Sequence, residues 1–300
     1  MWNVRITGGV GFIGSHLIEE LQRGGSLYLV NLDLKTGVDL TDKEQVEQAV
    51  HNADTVFDLA AMSLFWSLRT PYKVCLNNYL IALNLCEACR LGVFKELVHI
   101  SSSEAFGSAI YTPMDEKHPT YPTTPYAASK LCADHIIKSY VNTFGIKALI
   151  IRPFNNYGPR QPLDLGGVIP TTIHKILKGE KPVIYGTGEQ KRDFIYVKDT
   201  VRGIVELSKT PKDGKIINLG TGKSSTIKRV IEIICDLMNY KGGIEYKEGR
   251  VADVFTHEAG VKLAEEYGFV PRISLEEGLK ETVDWYEDTF ALPDNNIKKD

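Results

Sequence analysis

Two hydrophobic rhythms alternate along the first half of the chain. Short runs of branched and aromatic side chains, around Val4 and Ile6 and over Leu27–Leu32, Thr55–Leu59, Glu96–Ser101 and Lys147–Ile151, have the length and make-up of buried strands. Between them, apolar positions recur every three to four residues: at Phe12, Ile13, Leu17, Ile18 and Leu21, over Asp42–His51 with Thr41 as N-cap, over about Tyr72–Leu91, and over about Thr124–Phe144. Strands with little polar alternation, each followed by a helix, predict a parallel sheet covered on both faces. The expected fold class is α/β, a doubly wound parallel sheet, with its chemistry in the loops beyond the strands' carboxyl ends.

The first strand runs into Thr7-Gly8-Gly9-Val10-Gly11-Phe12-Ile13-Gly14. Glycines spaced in this way, between a strand and a helix, suit a dinucleotide diphosphate and make the sheet Rossmann-type. Gly8 takes the turn's positive φ, Gly11 lets the diphosphate approach, and Gly14 allows close packing, while the N–H groups at Phe12 and Ile13 face the anion. Asp33 ends the second strand nineteen residues after Gly14. A carboxylate there accepts from both ribose hydroxyls and repels a 2′-phosphate, which favours NAD over NADP. Asp39-Leu40 is read either as an adenine contact or as the lead-in to the next helix.

Composition narrows the function classes. With 43% hydrophobic and 24% charged residues and a net charge of −3, the 300-residue chain reads as globular, with no signature of a nucleic-acid binder. It enters its first strand without a signal-peptide pattern and has no apolar run of membrane-spanning length, so a cytoplasmic protein without a membrane partner is expected. Cys86-x-x-Cys89 lies in a helical pattern without a second ligand pair, and the seven histidines show no ligand spacing. The five cysteines are expected to be buried, reduced thiols, and no metal is expected.

The candidate chemistry follows the fourth strand. Ser101-Ser102-Ser103-Glu104-Ala105-Phe106-Gly107 precedes a helix carrying Tyr126 and Lys130. Four residues apart, the two share a helical face, so the ammonium is expected to favour an ionised phenol able to act as a base near neutral pH.

With these residues in view, the sequence resembles the extended short-chain dehydrogenase/reductases, in their branch of NAD-dependent nucleotide-sugar epimerases and dehydratases. The resemblance rests on the glycine turn, Leu59-Ala60-Ala61, Pro71 with Asn78, the serine cluster, Pro125-Tyr126-Ala127-Ala128-Ser129-Lys130, and Arg152-Pro153-Phe154-Asn155-Asn156-Tyr157-Gly158-Pro159-Arg160. It implies Tyr126 as catalytic base, Lys130 on the nicotinamide ribose, and Ser102 on the reacting hydroxyl, with Ser101 and Ser103 as close alternatives. Ser103 is also a candidate substrate contact. Leu59, Ala60, Ala61 and Asn78 join the cofactor set. Asp58 stands where many members carry histidine, and Phe106 departs from the common tyrosine.

The second half resembles that family's substrate lobe, giving an expected division into 1–165, an NAD-binding Rossmann domain, and 166–300, a nucleotide-sugar-binding lobe interleaved with it. Arg192 and Arg250 match arginines that bind the substrate diphosphate, a task suited to planar paired donors. Asn155 is read as a sugar or phosphate contact, with a structural role as the alternative. Asn218-Leu219-Gly220-Thr221-Gly222 is read as a structural turn before a helix over Thr226–Met238, and the segment from Asn295 as a frayed terminus. The implied function is transient oxidation at C4 of a nucleotide-diphosphate sugar, foremost as a UDP-hexose 4-epimerase. Glu104 keeps a 4,6-dehydratase open, and a C4 dehydrogenase or decarboxylase remains, as does, in another class, an NAD-binding sensor without turnover. The implied assembly is a homodimer through the Tyr72–Leu91 and Thr124–Phe144 helices.

Overall fold

The computed structural model describes residues 1–25, 27–163, 166–249 and 254–290. Strands β1 (Trp2–Thr7), β2 (Leu27–Leu32), β3 (Thr55–Asp58), β4 (Glu96–Ile100) and β5 (Lys147–Pro153) alternate with helices α1 (Phe12–Arg23), α2 (Lys43–Ala49), α3 (Leu64–Ser67), α4 (Pro71–Arg90) and α5 (Pro125–Phe144). There follow β6 (Asn155–Tyr157), α6 (Val168–Leu177), β7 (Val183–Tyr185), β8 (Lys191–Tyr196), α7 (Val197–Leu207) and β9 (Asp213–Leu219). The remaining elements are β10 (Ser224–Thr226), α8 (Ile227–Leu237), β11 (Glu245–Lys247), α9 (Lys262–Glu266) and α10 (Leu275–Phe290).

The main sheet is parallel, in the order β2-β1-β3-β4-β5-β9. The order reverses at β1, whose neighbours are β2 on one side and β3 on the other, and a crevice at that switch point is where doubly wound sheets bind ligands. Each face has its own core. Val4, Ile6, Phe57, Val98 and Leu149 pack with residues of α1 and α7, whereas Val56, Leu97, Ala148 and Ile150 pack with residues of α4 and α5. Each such Val, Leu, Ile or Phe side chain contributes about 1.5–3 kcal/mol by leaving water. Two elements from beyond residue 166, α7 and β9, belong to this sheet half. A second sheet, β10-β8-β6, packs with α6, α8 and α10 around Tyr157, Ile173, Tyr196 and Ile234.

Several local expectations are corrected. Helix α2 begins at Lys43, and its cap is Asp42, which accepts from Gln45 N at 3.1 Å, because Thr41 is engaged by Asp39 through both its N–H and its hydroxyl. Not every thiol is buried: Cys86, Cys89 and Cys235 are, Cys75 is half-buried, and Cys132 is exposed on α5, all of them free. Burial pushes the Cys89 thiol up to about 11. Among the described residues there is no cluster suited to a metal ion, and no helix is long and apolar enough to cross a membrane.

Polar ties link the second sheet and the loop after β6 to the main-sheet layers, two of them through Arg160 and His257. Arg160, in the left-handed region at φ +66, reaches Glu19 at 2.6 Å and His16 on α1. His257, fully buried, donates from Nε2 to the Gly107 carbonyl at 2.8 Å, while its own N–H bonds the Lys191 carbonyl of β8 at 3.0 Å.

Burial pushes the His257 imidazole down to about 4 from 6.5, the Gly107 bond opposing and Arg192 and His118 adding to the shift. The fold holds the neutral ring, so its contribution is whole above pH 6.5 and is withdrawn as pH falls towards 4, a loss of about 3 kcal/mol. Denaturant unfolding at pH 7.5 and 4.5 is expected to show this acid sensitivity in the wild type. His257→Asn should be less stable at pH 7.5 and markedly flatter with pH.

Candidate functional site

The glycine turn forms one wall of the crevice. Gly8 has φ +67, and a Cβ there would lie 2.9 Å from Ala60 N; a Cβ on Gly14 would lie 2.3 Å from Gly8 O. These two positions admit only glycine. The Gly14 contact is with the turn itself, which differs from the expected helix–strand packing. Gly11 N-caps α1 without a side-chain cap, leaving the helix's leading N–H groups at Phe12 and Ile13 available to an anion. Phe12 packs towards the second-sheet core and Ile13 onto the main sheet.

Gly8 N donates to Leu32 O at 2.9 Å, which sets Asp33 beside the turn. The Asp33 carboxylate also caps a short 3-10 turn, accepting from Lys35 N at 2.9 Å. Asp39 holds Thr41, and Leu40 is buried, its carbonyl accepting from Asn84 at 3.0 Å. On the opposite side Leu59 and Ala60 donate their N–H groups to the Thr7 hydroxyl, each at 3.0 Å, and Ala61 is exposed. Asn78 is buried and clamps the next residue: it accepts from Met62 N and donates to Met62 O and to Ser129 Oγ. Its amide therefore shapes this wall from behind. A cradle in which a Cβ has no room, an uncapped helix start and a neighbouring aspartate together fit a dinucleotide.

Two of the catalytic candidates, Ser102 and Tyr126, meet beyond the carboxyl end of β4. Thr124 caps α5 by accepting from Ala127 N at 3.1 Å, and Pro125 at the first turn fixes the helix start, so Tyr126 projects from a rigid end. The Ser102 side chain lies near enough to the Tyr126 phenol to act on it. The three neighbouring serines are thereby separated: Ser102 meets Tyr126, Ser101 donates to Asp134 at 2.8 Å, and Ser103 is buried. Ser102 Oγ also accepts from Glu104 N at 3.2 Å, closing a 3-10 turn that carries Glu104.

The electrostatics differ from expectation at one point. Burial pushes the Tyr126 phenol up to about 12; the Ser102 side chain acts against this, and the charges of Glu104 and Asp134 add to it. The lowering expected from a neighbouring ammonium is not seen in the protein alone, because Lys130 is turned into the interior. Only 3% exposed, its Nζ lies 3.3 Å from His99 Nε2. Burial lowers the Lys130 pKa, with Asp58 and Asp134 opposing.

The surrounding buried network is the main feature that the sequence reading missed. His99 Nδ1 lies 2.7 Å from Asp58 Oδ2, Thr7 donates to Asp58 Oδ1 at 2.7 Å, and Arg152 pairs with Asp134 at 2.6 Å. Burial acts to raise the Asp58 carboxyl, but His99, Lys130 and Thr7 outweigh it and hold it low. The signal was present as titratable side chains near the ends of otherwise apolar strands.

The second sheet supplies the remaining candidates. Asn155 on β6 donates to Asp193 O at 3.4 Å, and Arg192 on β8 is 9% exposed and donates to Lys191 O at 2.9 Å. Arg192 acts electrostatically on His257, the residue tied to Gly107, so it stands one residue removed from the serine turn. Arg250 and the terminal segment from Asn295 lie outside the described residues. In Leu219–Gly222 the N–H groups of Thr221 and Gly222 donate to the buried Asp193 carboxylate, which makes this turn structural.

The pattern that defines the NAD dependent epimerase/dehydratase family matches residues 4–220. A putative UDP-glucose 4-epimerase of Methanocaldococcus jannaschii is 33% identical, over 94% of this chain and 97% of the relative. The structure of a Thermotoga maritima UDP-glucose 4-epimerase with UDP-glucose superimposes with a TM-score of 0.90 at 29% identity, covering 96% of this chain and 99% of that one. The dTDP-glucose 4,6-dehydratase of Streptomyces venezuelae with NAD bound also gives 0.90, at 26% identity, over 95% and 97% of the two chains. With the glycine cradle, the Ser102–Tyr126 contact and a family match over most of its length, this chain belongs to the NAD-dependent epimerase/dehydratase family.

Proposed function

We propose that this chain is a 4-epimerase of a UDP-linked hexose. The observation that carries the reading is the approach of Ser102 to the Tyr126 phenol beyond the carboxyl end of β4, since two oxygens so arranged can grip one sugar hydroxyl. The similarity to UDP-glucose 4-epimerases supports the choice of reaction. Bound NAD, cradled by Gly8, Gly11 and Gly14 with Asp33 for the adenosine ribose, supplies the hydride acceptor for C4 and a positive charge that favours the ionised phenol.

The chain's own residues handle the proton and the orientation. Ser102 donates to the C4 oxygen and fixes its distance from Tyr126, whose oxygen takes the hydroxyl proton and later returns it. No proton is released overall, as an epimerisation requires. Arg192, with Asn155, Ser103 and Arg250, is assigned to the sugar nucleotide, guanidinium matching diphosphate by paired, charge-assisted bonds.

A second reading rests on Glu104. Its carboxylate is near enough to Tyr126 to raise the phenol, and a carboxylate there could take the C5 proton of a 4,6-dehydratase substrate.

The assembly is proposed as a homodimer through α4 and α5. Tyr72, Leu76 and Tyr79 form an exposed stripe on α4 at helical spacing, 80%, 43% and 38% accessible, on a helix whose other side is already buried against the sheet.

Incubation with UDP-glucose or UDP-N-acetylglucosamine is expected to give the C4 epimer with no net NADH. Tyr126→Phe should lower kcat about 100- to 10,000-fold with the sugar-nucleotide dissociation constant little changed. A 4-keto-6-deoxy product, lost in Glu104→Gln, would replace the epimerase with the dehydratase. Sedimentation is expected to show a dimer that Leu76→Glu with Tyr79→Glu converts to monomer; a wild-type monomer would refute the assembly.

A further inference from the structure

Lys130 is an ammonium with three donors and no acceptor, buried where an unpartnered charge is costly. Among the described residues its hydrogen bond goes to His99 Nε2 at 3.3 Å. That bond fixes the imidazole: Nε2 must offer its lone pair, so Nδ1 carries the hydrogen and donates to Asp58 Oδ2 at 2.7 Å. The reverse tautomer would set a bare nitrogen against a carboxylate. Asp134 Oδ1 lies 3.9 Å from Nε2, too far to compete.

Asp58 is itself held. Thr7 donates to its second oxygen and accepts the N–H groups of Leu59 and Ala60, the residues packed against Gly8. Thr7, Asp58 and His99 are direct register neighbours across β1, β3 and β4, so the row is set by the sheet and not by loops. A continuous line of hydrogen bonds thus runs from the cofactor cradle to the lysine one turn along α5 from Tyr126.

We propose that His99 is a positioning residue: held by Asp58 in one tautomer, it anchors one donor of the Lys130 ammonium and thereby fixes where the other two point. A lysine's four-carbon stem is otherwise loosely oriented, and a displacement of about 1 Å at a reacting group can cost about 100-fold in rate. The carboxylate at position 58, where the resembled family commonly carries histidine, is what selects the tautomer. The inference rests on the assignment of Lys130 to the cofactor side of the site.

The test compares His99→Leu, His99→Gln and His99→Asn with Lys130→Met. The readouts are NAD affinity measured calorimetrically without sugar nucleotide, kcat and KM with the UDP-hexose, melting temperature, and the ultraviolet titration of the Tyr126 phenol against Tyr126→Phe. His99→Leu is expected to weaken NAD binding about tenfold and to lower kcat about 100-fold with the sugar-nucleotide KM unchanged. His99→Gln, whose amide can donate to Asp58 and accept from Lys130, should recover most of both losses. His99→Asn, one methylene shorter, should not.

A folded His99→Leu protein with NAD affinity, kcat and phenol titration within twofold of wild type would overturn the inference. So would a Gln variant no better than the Asn variant, and that comparison decides should the Leu variant fail to fold. If Lys130→Met leaves NAD binding and activity intact, the reading of the site fails. If only Lys130→Met is impaired, the site stands and the role of His99 falls.

Discussion

The balance of charge inside the carboxyl end of the main sheet governs the rest of this structure. Two carboxylates, Asp58 and Asp134, and two cations, Lys130 and Arg152, sit almost completely out of water with one imidazole between them. Their desolvation is tolerable only because each is paired, and removing any one strands the others, at a cost of about 3–5 kcal/mol for such a pair. The cluster therefore fixes the relative positions of β1, β3, β4, β5 and α5 more tightly than apolar packing, which has no preferred direction. Arg152 extends this control to the serine turn, its guanidinium lying 4.3 Å from the Phe106 ring centroid.

The catalytic residues inherit their geometry from that interior. Tyr126 stands on the first turn of α5, one turn from Lys130, and Ser102 follows directly after Ser101, which donates to Asp134. Neither reactive side chain needs a long connection to the core, because a chain neighbour is already anchored there. The second sheet reaches the same turn differently, through the His257 bond to Gly107, while its Asp193 carboxylate gathers the N–H groups of Thr221, Gly222 and Ala259. A shift of the second sheet would be transmitted to the serine turn through the His257–Gly107 contact.

Much of this arrangement was legible in the sequence, for identifiable reasons. The strands were visible because both faces of the sheet are covered, which leaves uninterrupted apolar runs such as Ala148–Ile151. The glycine turn was visible because steric demands at Gly8 and Gly14 leave one residue type. Tyr126 and Lys130 were visible because helical spacing is rigid. Their electrostatic relation was not, since it depends on His99, thirty-one residues away, drawing the ammonium inward. Asn78 entered the cofactor set through the resemblance alone, whereas its amide bonds to Met62 and Ser129 join residues that only the fold brings together. Thr41 misled because Asp42, next to it, had the same capping chemistry and a freer carboxylate.

The sixth strand enters the main sheet late. β9 closes the edge of β5 some sixty residues after β5 itself has ended, and α7 must be in place before the face beneath it is covered. During synthesis the nascent dinucleotide half therefore emerges with an unpaired apolar margin, and it cannot complete its own sheet until the polypeptide that builds the opposite lobe has also left the ribosome. The two halves are consequently bound to mature together, and a gene fragment that stops after β5 encodes a sticky edge in place of a self-sufficient module.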